Sequence, residues 1–278
     1  MNPINSFGYK IYFSQNNISV NLKGGRKMRN PSIQNKKAWE YRAYEFWNKR
    51  DGTPRAKAEE ILKDPASQLK KHAKYFKDIN GKLIANLCGS NGRKAVPLAL
   101  LGAEVTVFDI SVENKRYAIE LAASANTSIE YVVTDIYEIN LDKYGKSFDK
   151  LYLEGGILHY FHDLHKFMRI LFALLKDDGV MVLSDFHPFR KCIVQKEGKY
   201  ELQLNYFQEE VLAGDLAYKH YFEEEEQDNF PDVTIKLYTL SDILNSLISS
   251  GFQLQKMEEH KGWDNENIPW EYTILAGK

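Results

Sequence analysis

Between residues 83 and 185, short apolar runs alternate with helix-period segments, and this alternation limits the possible folds more than any other feature. The runs LIANL (83–87), EVTVFD (104–109), IEYVVT (129–134), FDKLYL (148–153) and VMVLSD (180–185) read as strands. The segments 92–101, 113–125 and HDLHKFMRILFALLK (162–176) between them read as helices. Such alternation builds right-handed crossover units on a parallel sheet. Ligands then bind beyond the carboxyl ends of the strands, so chemistry is expected in the loops after residues 87, 109, 134, 153 and 185.

The flanks carry different patterns. Residues 1–35 are polar and aperiodic, which predicts a disordered tail. The KGGRKM stretch ending in Met28 can be encoded by a purine-rich ribosome-binding sequence, so a second expectation is that residues 1–27 are translated leader. Residues 36–50, 55–62 and 66–77 read as helices, giving a helical cap over 36–78 ahead of a main domain over 79–278. An insertion over 190–238 holds the strand-like KYELQLNYF and TIKLYTL around an acidic run, EEEEQD (223–228), that reads as a solvated loop. A helix is expected over 241–250, and final strands over 252–258 and 270–276, paired antiparallel at one sheet edge.

Composition removes several function classes. With 37 basic and 38 acidic residues and a net charge of −1, nothing favours a nucleic-acid or anionic-membrane partner. Two cysteines, Cys88 and Cys192, cannot form a disulfide framework and read as thiols of a reducing, cytoplasmic compartment. No HExxH or paired Cys/His spacing appears, so no metal is assigned.

The chemistry concentrates at the strand ends. LIANLCGSNGR is a strand, a small-residue loop and a helix start, which lets backbone approach a ligand under a helix N-terminus. Asp109 ends the next strand, about twenty positions on, where a carboxylate accepts from both hydroxyls of a ribose. Asp135 ends the third strand and can accept from an adenine amino group while the Ile136 backbone reads the ring edge.

This ordered series resembles the class I S-adenosylmethionine-dependent methyltransferases. The resemblance covers roughly 80–190 and rests on LIANLCGSNG, VTVFDIS, VVTDI, FDKLYLEGGILHYF and LLKDDGVMVLSD. It implies a doubly wound α/β fold, with a seven-stranded, mostly parallel sheet whose last strand is antiparallel. It implies S-adenosylmethionine as cofactor and S-adenosylhomocysteine as product. Carried over, Cys88, Gly89, Ser90 and Gly92 would line the methionine and ribose side. Asp109 and Ile110 would hold the ribose, and Asp135 and Ile136 the adenine. The segment from Glu154 and Gly155 to Leu158 would flank the methionine part.

The chain departs from the family in two places. The usual Asp of the first strand is Asn86, which keeps a hydrogen-bonding group but loses a charge toward the cofactor ammonium. The three-glycine pattern falls on Cys88, Ser90 and Gly92, and close backbone approach survives provided neither replaced position needs positive φ.

For the acceptor, two histidines stand where a general base belongs: His159 after the fourth strand and His187 after the fifth. The alternatives are that His159 packs or caps its helix and His187 orders the turn before Pro188. The LEGGIL segment lacks the Asn/Asp-Pro-Pro-aromatic turn of DNA adenine methyltransferases, and neither cysteine follows a proline. A small molecule accepting on O or N is therefore expected, under an aromatic lid carrying Tyr41, Tyr44 and Trp47, although Trp39, Phe46 and Trp47 can equally pack on the core. Two other classes remain open: a non-catalytic cofactor-binding or sensor protein, and a nicotinamide-dependent oxidoreductase. The sequence leaves the oligomeric state unknown.

Overall fold

The computed structural model describes residues 31–196, 199–262 and 267–278. The expected leader and start at Met28 lie outside these residues. The cap begins at Pro31, inside the stretch read as tail, with helix α1 (Pro31–Glu40). Asn35 explains why those residues are ordered: its amide side chain is buried, donates to Thr234 O at 3.0 Å and accepts from Thr234 N at 2.7 Å.

The single helix expected over 36–50 is two helices. Arg42, with φ of 54°, breaks the chain between α1 and α2 (Ala43–Asp51). Its guanidinium reaches Glu45 at 2.7 Å and Glu226 at 2.9 Å. That second bond corrects the reading of the acidic run, which contains the one-turn helix α8 (Glu224–Gln227) tied to the cap. Helix α3 (Pro54–Lys63) has Pro54 at its first position and a Thr53 cap accepting from Ala56 N. A 3₁₀ segment, Ser67–Tyr75, kinked at Lys70, completes the cap.

The main domain follows as β1 (Leu83–Leu87), α4 (Ala95–Leu100), β2 (Glu104–Asp109), α5 (Val112–Ser124), β3 (Glu130–Val133), the single turn α6 (Leu141–Tyr144), β4 (Phe148–Glu154), α7 (Leu164–Leu174) and β5 (Leu175–Phe186). Two hairpins, β6 (Ile193–Lys196) with β7 (Lys199–Leu202) and β8 (Val211–Gly214) with β9 (Val233–Lys236), form the insertion. The chain closes with α9 (Leu240–Ser249), β10 (Gln253–His260) and β11 (Glu271–Gly277). Helix α9 begins one residue earlier than expected and is capped by Thr239, whose side chain accepts from Asp242 N while the Asp242 carboxylate accepts from Thr239 N.

The main sheet has seven strands in the order β3-β2-β1-β4-β5-β11-β10. Pairings from β3 through β5 are parallel, and β11 runs antiparallel to both of its neighbours. This is the expected α/β class, with the chain's last strand reversed.

Alternation along the strands feeds two cores. Ala85, Leu87, Leu151 and Leu153 pack with Phe167 and Leu171 of α7 and Leu247 of α9. Ile84, Val105, Val107 and Tyr152 face the other way, onto Leu98 of α4 and Leu69 and Phe76 of the cap. A third cluster joins Phe46 and Trp47 of the cap to Tyr117 and Leu121 of α5 and to Tyr218 of the insertion. The cap therefore sits over the carboxyl ends of the strands. Among the described residues, no helix is long and apolar enough to cross a membrane.

Candidate active site

Strand β1 places Asn86 between Val107 of β2 and Tyr152 of β4. After Leu87 the chain turns sharply, and Cys88 N donates to Phe108 O at 2.7 Å. Cys88, Ser90 and Gly92 take φ of 51°, 52° and 77°. The proviso that neither replaced glycine position needs positive φ therefore fails, and both Cys88 and Ser90 sit in the left-handed region. That conformation costs a non-glycine residue about 1–2 kcal/mol. Cys88→Gly and Ser90→Gly are each expected to raise stability by ~0.5–1 kcal/mol, after allowing for the added freedom of the unfolded chain. Urea midpoints of the two variants, at or below that of the parent protein, would show that the loop is unstrained.

The glycines between them have separate reasons. A Cβ on Gly89 would lie 2.6 Å from Asn86 Oδ1 and 2.7 Å from Val107 Cγ1. One on Gly92 would lie 2.8 Å from Ala118 Cβ of α5. Gly92 thus lets helix and loop pack and, unlike Cys88, Gly89 and Ser90, does not line the cavity.

Asp109 closes the loop. Its Oδ2 accepts from Ser90 N at 3.0 Å, and its Oδ1 accepts from Ser111 N at 3.0 Å and Asn114 Nδ2 at 3.1 Å. Burial pushes its pKa up, and these donors oppose the shift. Asn114 Oδ1 accepts in turn from Trp47 Nε1 at 2.7 Å, so the cap is bonded through one amide to the acid. Asp135 caps the next turn by accepting from Tyr137 N at 2.9 Å.

At the end of β4, Glu154 Oε2 lies 3.0 Å from Lys94 Nζ and accepts from Tyr152 OH at 3.2 Å, while Oε1 is 3.9 Å from His72 Nδ1. Burial alone would raise the Glu154 pKa, but Lys94, Arg93 and His72 outweigh it and hold it at about 2. Burial lowers Lys94 to about 8 and His72 to about 4, with Glu154 opposing both shifts.

Asp185, at the end of β5, accepts from the backbone N–H groups of Ile157 (3.1 Å), Leu158 (2.7 Å) and Phe186 (2.6 Å), which fixes the loop after β4. That loop carries His159 against Tyr160, with Nε2 at 3.5 Å from Lys191 Nζ. Burial, with Lys191 and Arg190 nearby, depresses the His159 pKa well below the ordinary range, so the ring is neutral at physiological pH.

One cavity of about 610 Å³ connects these groups. Asn86, Cys88, Gly89, Ser90, Asp109, Ile110, Asp135, Ile136, Glu154, Gly155 and His159 all line it. His187 does not. Its Nδ1 accepts from Phe189 N at 3.1 Å and its Nε2 is 3.1 Å from Glu259 Oε1, so the ring orders the turn at Pro188 against β10. Of the expected lid residues only Trp47 reaches the cavity, joined by Trp39 and Phe46. Tyr44 is drawn outward to Glu120 and Arg116, and Tyr41 packs on Phe230. Lys94, His72, Asn114 and Lys191 were not read from the sequence. Asp185, ending VMVLSD, could have been, by the same strand-end rule that singled out Asp109.

The donor set matches a nucleoside joined to an amino acid. Acids end β2, β4 and β5 and follow β3, Arg93 and Lys94 stand beside Glu154, and Asn86 Oδ1 and Ser90 Oγ are buried with no partner among the described residues. A parallel sheet in this order, with its last strand reversed and such a loop after β1, is a Rossmann-like α/β fold. Residues 87–183 match the model of a methyltransferase domain. Residues 87–183 thus carry a methyltransferase domain, the stretch that holds the loop after β1 and the strand-end acids. This match decides against the nicotinamide reading.

A search of curated proteins finds none that matches the chain. Among solved structures, it is similar to an S-adenosylmethionine-dependent methyltransferase from Mesorhizobium loti at 21% identity, with 74% of this chain and 97% of that one covered and a TM-score of 0.59. A methyltransferase from Methanosarcina mazei gives 17% identity, 76% and 98% coverage and a TM-score of 0.56. Magnesium protoporphyrin IX methyltransferase from Synechocystis with bound S-adenosylhomocysteine gives 14%, 90% and 100%, and 0.56. At these identities the likeness establishes the fold.

Proposed function

We propose that the protein methylates an oxygen or nitrogen atom of a small molecule held beneath the helical cap. The observation that carries this reading is the continuity of the cavity, which runs from the acids of the strand ends to His159 under Trp39 and Phe46. A volume of about 610 Å³ is in the range of drug-sized ligand sites.

When bound, S-adenosylmethionine supplies a methyl group on a positively charged sulfur. Asp109 would hold the ribose hydroxyls, with Ile110 beside it, and Asp135 and Ile136 the adenine. Glu154 and Lys94 oppose the ammonium and carboxylate of the amino-acid end. Cys88, Gly89 and Ser90 bring bare backbone close, and Asn86 offers an acceptor where the family has an acid. The chain's contribution to rate is alignment, which supplies roughly 7–11 kcal/mol in well-oriented reactions, and exclusion of water by the cap. Where the acceptor is a hydroxyl, His159 is the ring placed to take its proton, at the lower end of the about 10²–10⁴-fold that a general base adds, because burial and its basic neighbours weaken it as a base.

Incubation with labelled S-adenosylmethionine and a chemically broad set of phenols, amines and acids tests the proposal, with methylated product and released S-adenosylhomocysteine as readouts. Transfer to none of them, despite tight cofactor binding, would favour a sensor. His159→Ala is expected to slow turnover about 10²-fold or more while S-adenosylhomocysteine affinity holds. His187→Ala is expected to lower the melting temperature and leave turnover within about twofold, since that ring touches no part of the cavity. Equal rate losses in both would remove His159 from its role.

A further inference from the structure

A continuous set of rings walls the acceptor end of the cavity, and it begins at His159. The His159 ring lies 4.1 Å, centre to centre, from Tyr160. Tyr160 meets Trp39 edge-on at 5.6 Å and 90°. Trp39 meets Tyr218 at 5.6 Å, and Tyr218 stacks on Phe46 at 4.4 Å with the planes 11° apart. All five rings line the cavity. They come from α1, α2, the loop after β4 and the insertion, so the wall is fixed by neighbours distant in sequence. Tyr218 donates its hydroxyl to Tyr41 O at 2.6 Å and to Ala38 O at 3.1 Å, so its polar end is spent on the cap. Leu204 and Leu237 extend the same lining. Fixed rings offer a flat aromatic body edge-to-face and stacked contacts in addition to the area it buries. A saturated body of the same size gains the area alone.

The base narrows the class further. Burial holds the His159 pKa well below the ordinary range, which makes the ring a weak base. A phenol ionises at about 10, and an aliphatic hydroxyl close to water, at about 16. A weak base therefore serves a phenol far better than an aliphatic alcohol.

We infer that the methyl acceptor is a phenol, its aromatic body held among Trp39, Phe46, Tyr160 and Tyr218 and its hydroxyl at His159. The inference rests on the reading that this cavity holds the acceptor, and it adds the acceptor's chemical class. In the transfer, the phenol oxygen bonds to the methyl carbon as the carbon–sulfur bond breaks and leaves its electron pair on sulfur. The hydroxyl proton passes to a ring nitrogen of His159 and from there to solvent. The products are an aryl methyl ether and S-adenosylhomocysteine.

The test uses the full chain, with S-adenosylmethionine for transfer and S-adenosylhomocysteine for binding. The probes are 2-naphthol, decahydro-2-naphthol, 2-naphthylmethanol and 2-naphthylamine. Calorimetry on the S-adenosylhomocysteine complex is expected to show 2-naphthol bound about tenfold or more tighter than its saturated counterpart. The kcat/KM for 2-naphthol is expected to exceed that for 2-naphthylmethanol, which keeps the rings and loses the acidic hydroxyl, by about 100-fold or more. Trp39→Leu is expected to bring the binding preference within about threefold while S-adenosylhomocysteine affinity holds. Equal binding of the aromatic and saturated alcohols, equal transfer to the two aromatic hydroxyls, faster transfer to the amine, or a ring preference undiminished in folded Trp39→Leu overturns the inference and leaves the methyltransferase reading standing. Transfer to none of the probes, with S-adenosylhomocysteine bound, counts against that reading and this inference together. The comparisons among probes need no variant, so a folding failure at position 39 does not shield the inference.

Discussion

Asp109→Ala is expected to weaken S-adenosylhomocysteine binding by about 100-fold or more. Two effects combine. A charged acceptor for the ribose hydroxyls is lost, and bonds to an ionised group are worth about 1.5–3 kcal/mol each. The loop that receives the nucleoside also loses its clamp, because Ser90 N, Ser111 N and Asn114 Nδ2 all donate to this carboxylate. Those donors would be left buried, so a stability loss of ~2–3 kcal/mol should accompany the affinity loss. Asp109→Asn separates the two effects. It preserves shape but turns an NH₂ toward backbone donors, so it too should bind poorly, with a smaller loss of stability. Calorimetry on folded Asp109→Asn giving the parent affinity would show that the ribose rests elsewhere.

The second large effect is expected at the Glu154–Lys94–His72 cluster. Glu154→Gln leaves the Lys94 ammonium beside a neutral amide in a largely buried site. Breaking a buried pair from one side costs about 3–5 kcal/mol, and the partial exposure of Glu154 reduces this to ~2–4 kcal/mol. The cluster also sets the acid limit of the fold. Glu154 titrates near 2 in the folded chain against an ordinary 4.5, so its stabilisation is present above pH ~4.5 and is lost as pH falls toward 2. His72 titrates near 4 against an ordinary 6.5. The unfolded chain therefore binds more protons between those values, and stability falls as pH drops from 6.5 to 4, by ~3 kcal/mol in all. Urea unfolding at pH 7, 5.5 and 4 should show this slope, and His72→Gln should flatten it. An unchanged slope in that variant would mean that His72 is not buried in its neutral form.

The sheet was legible because parallel strands buried on both faces must be apolar throughout, and LIANL, VTVF and VMVL are. The strand-end acids followed from the sheet. What sequence could not supply was the path of each loop. His159 and His187 both follow strands, but only the loop pinned by Asp185 turns its ring into the cavity. The break at Arg42 has no proline or glycine to announce it, and it rotates α2 so that Trp47 faces the site and Tyr44 faces Glu120. The partners of Glu154 were hidden for a different reason. Lys94 lies beyond the cofactor loop and His72 in the cap, and only tertiary packing brings them to β4. Residue size at Cys88 and Ser90 speaks to close backbone approach and is silent on φ, which is positive at both.

The amide of Asn114 bridges Trp47 Nε1 and the Asp109 carboxylate. The proposed ceiling over the acceptor and the proposed seat of the nucleoside thus hang from one side chain. A lineage adapting this scaffold to new acceptors could recontour the ceiling at Trp39 or Phe46 without disturbing that seat. Position 47 has no such latitude, because any residue lacking the indole donor passes its loss directly to the carboxylate below.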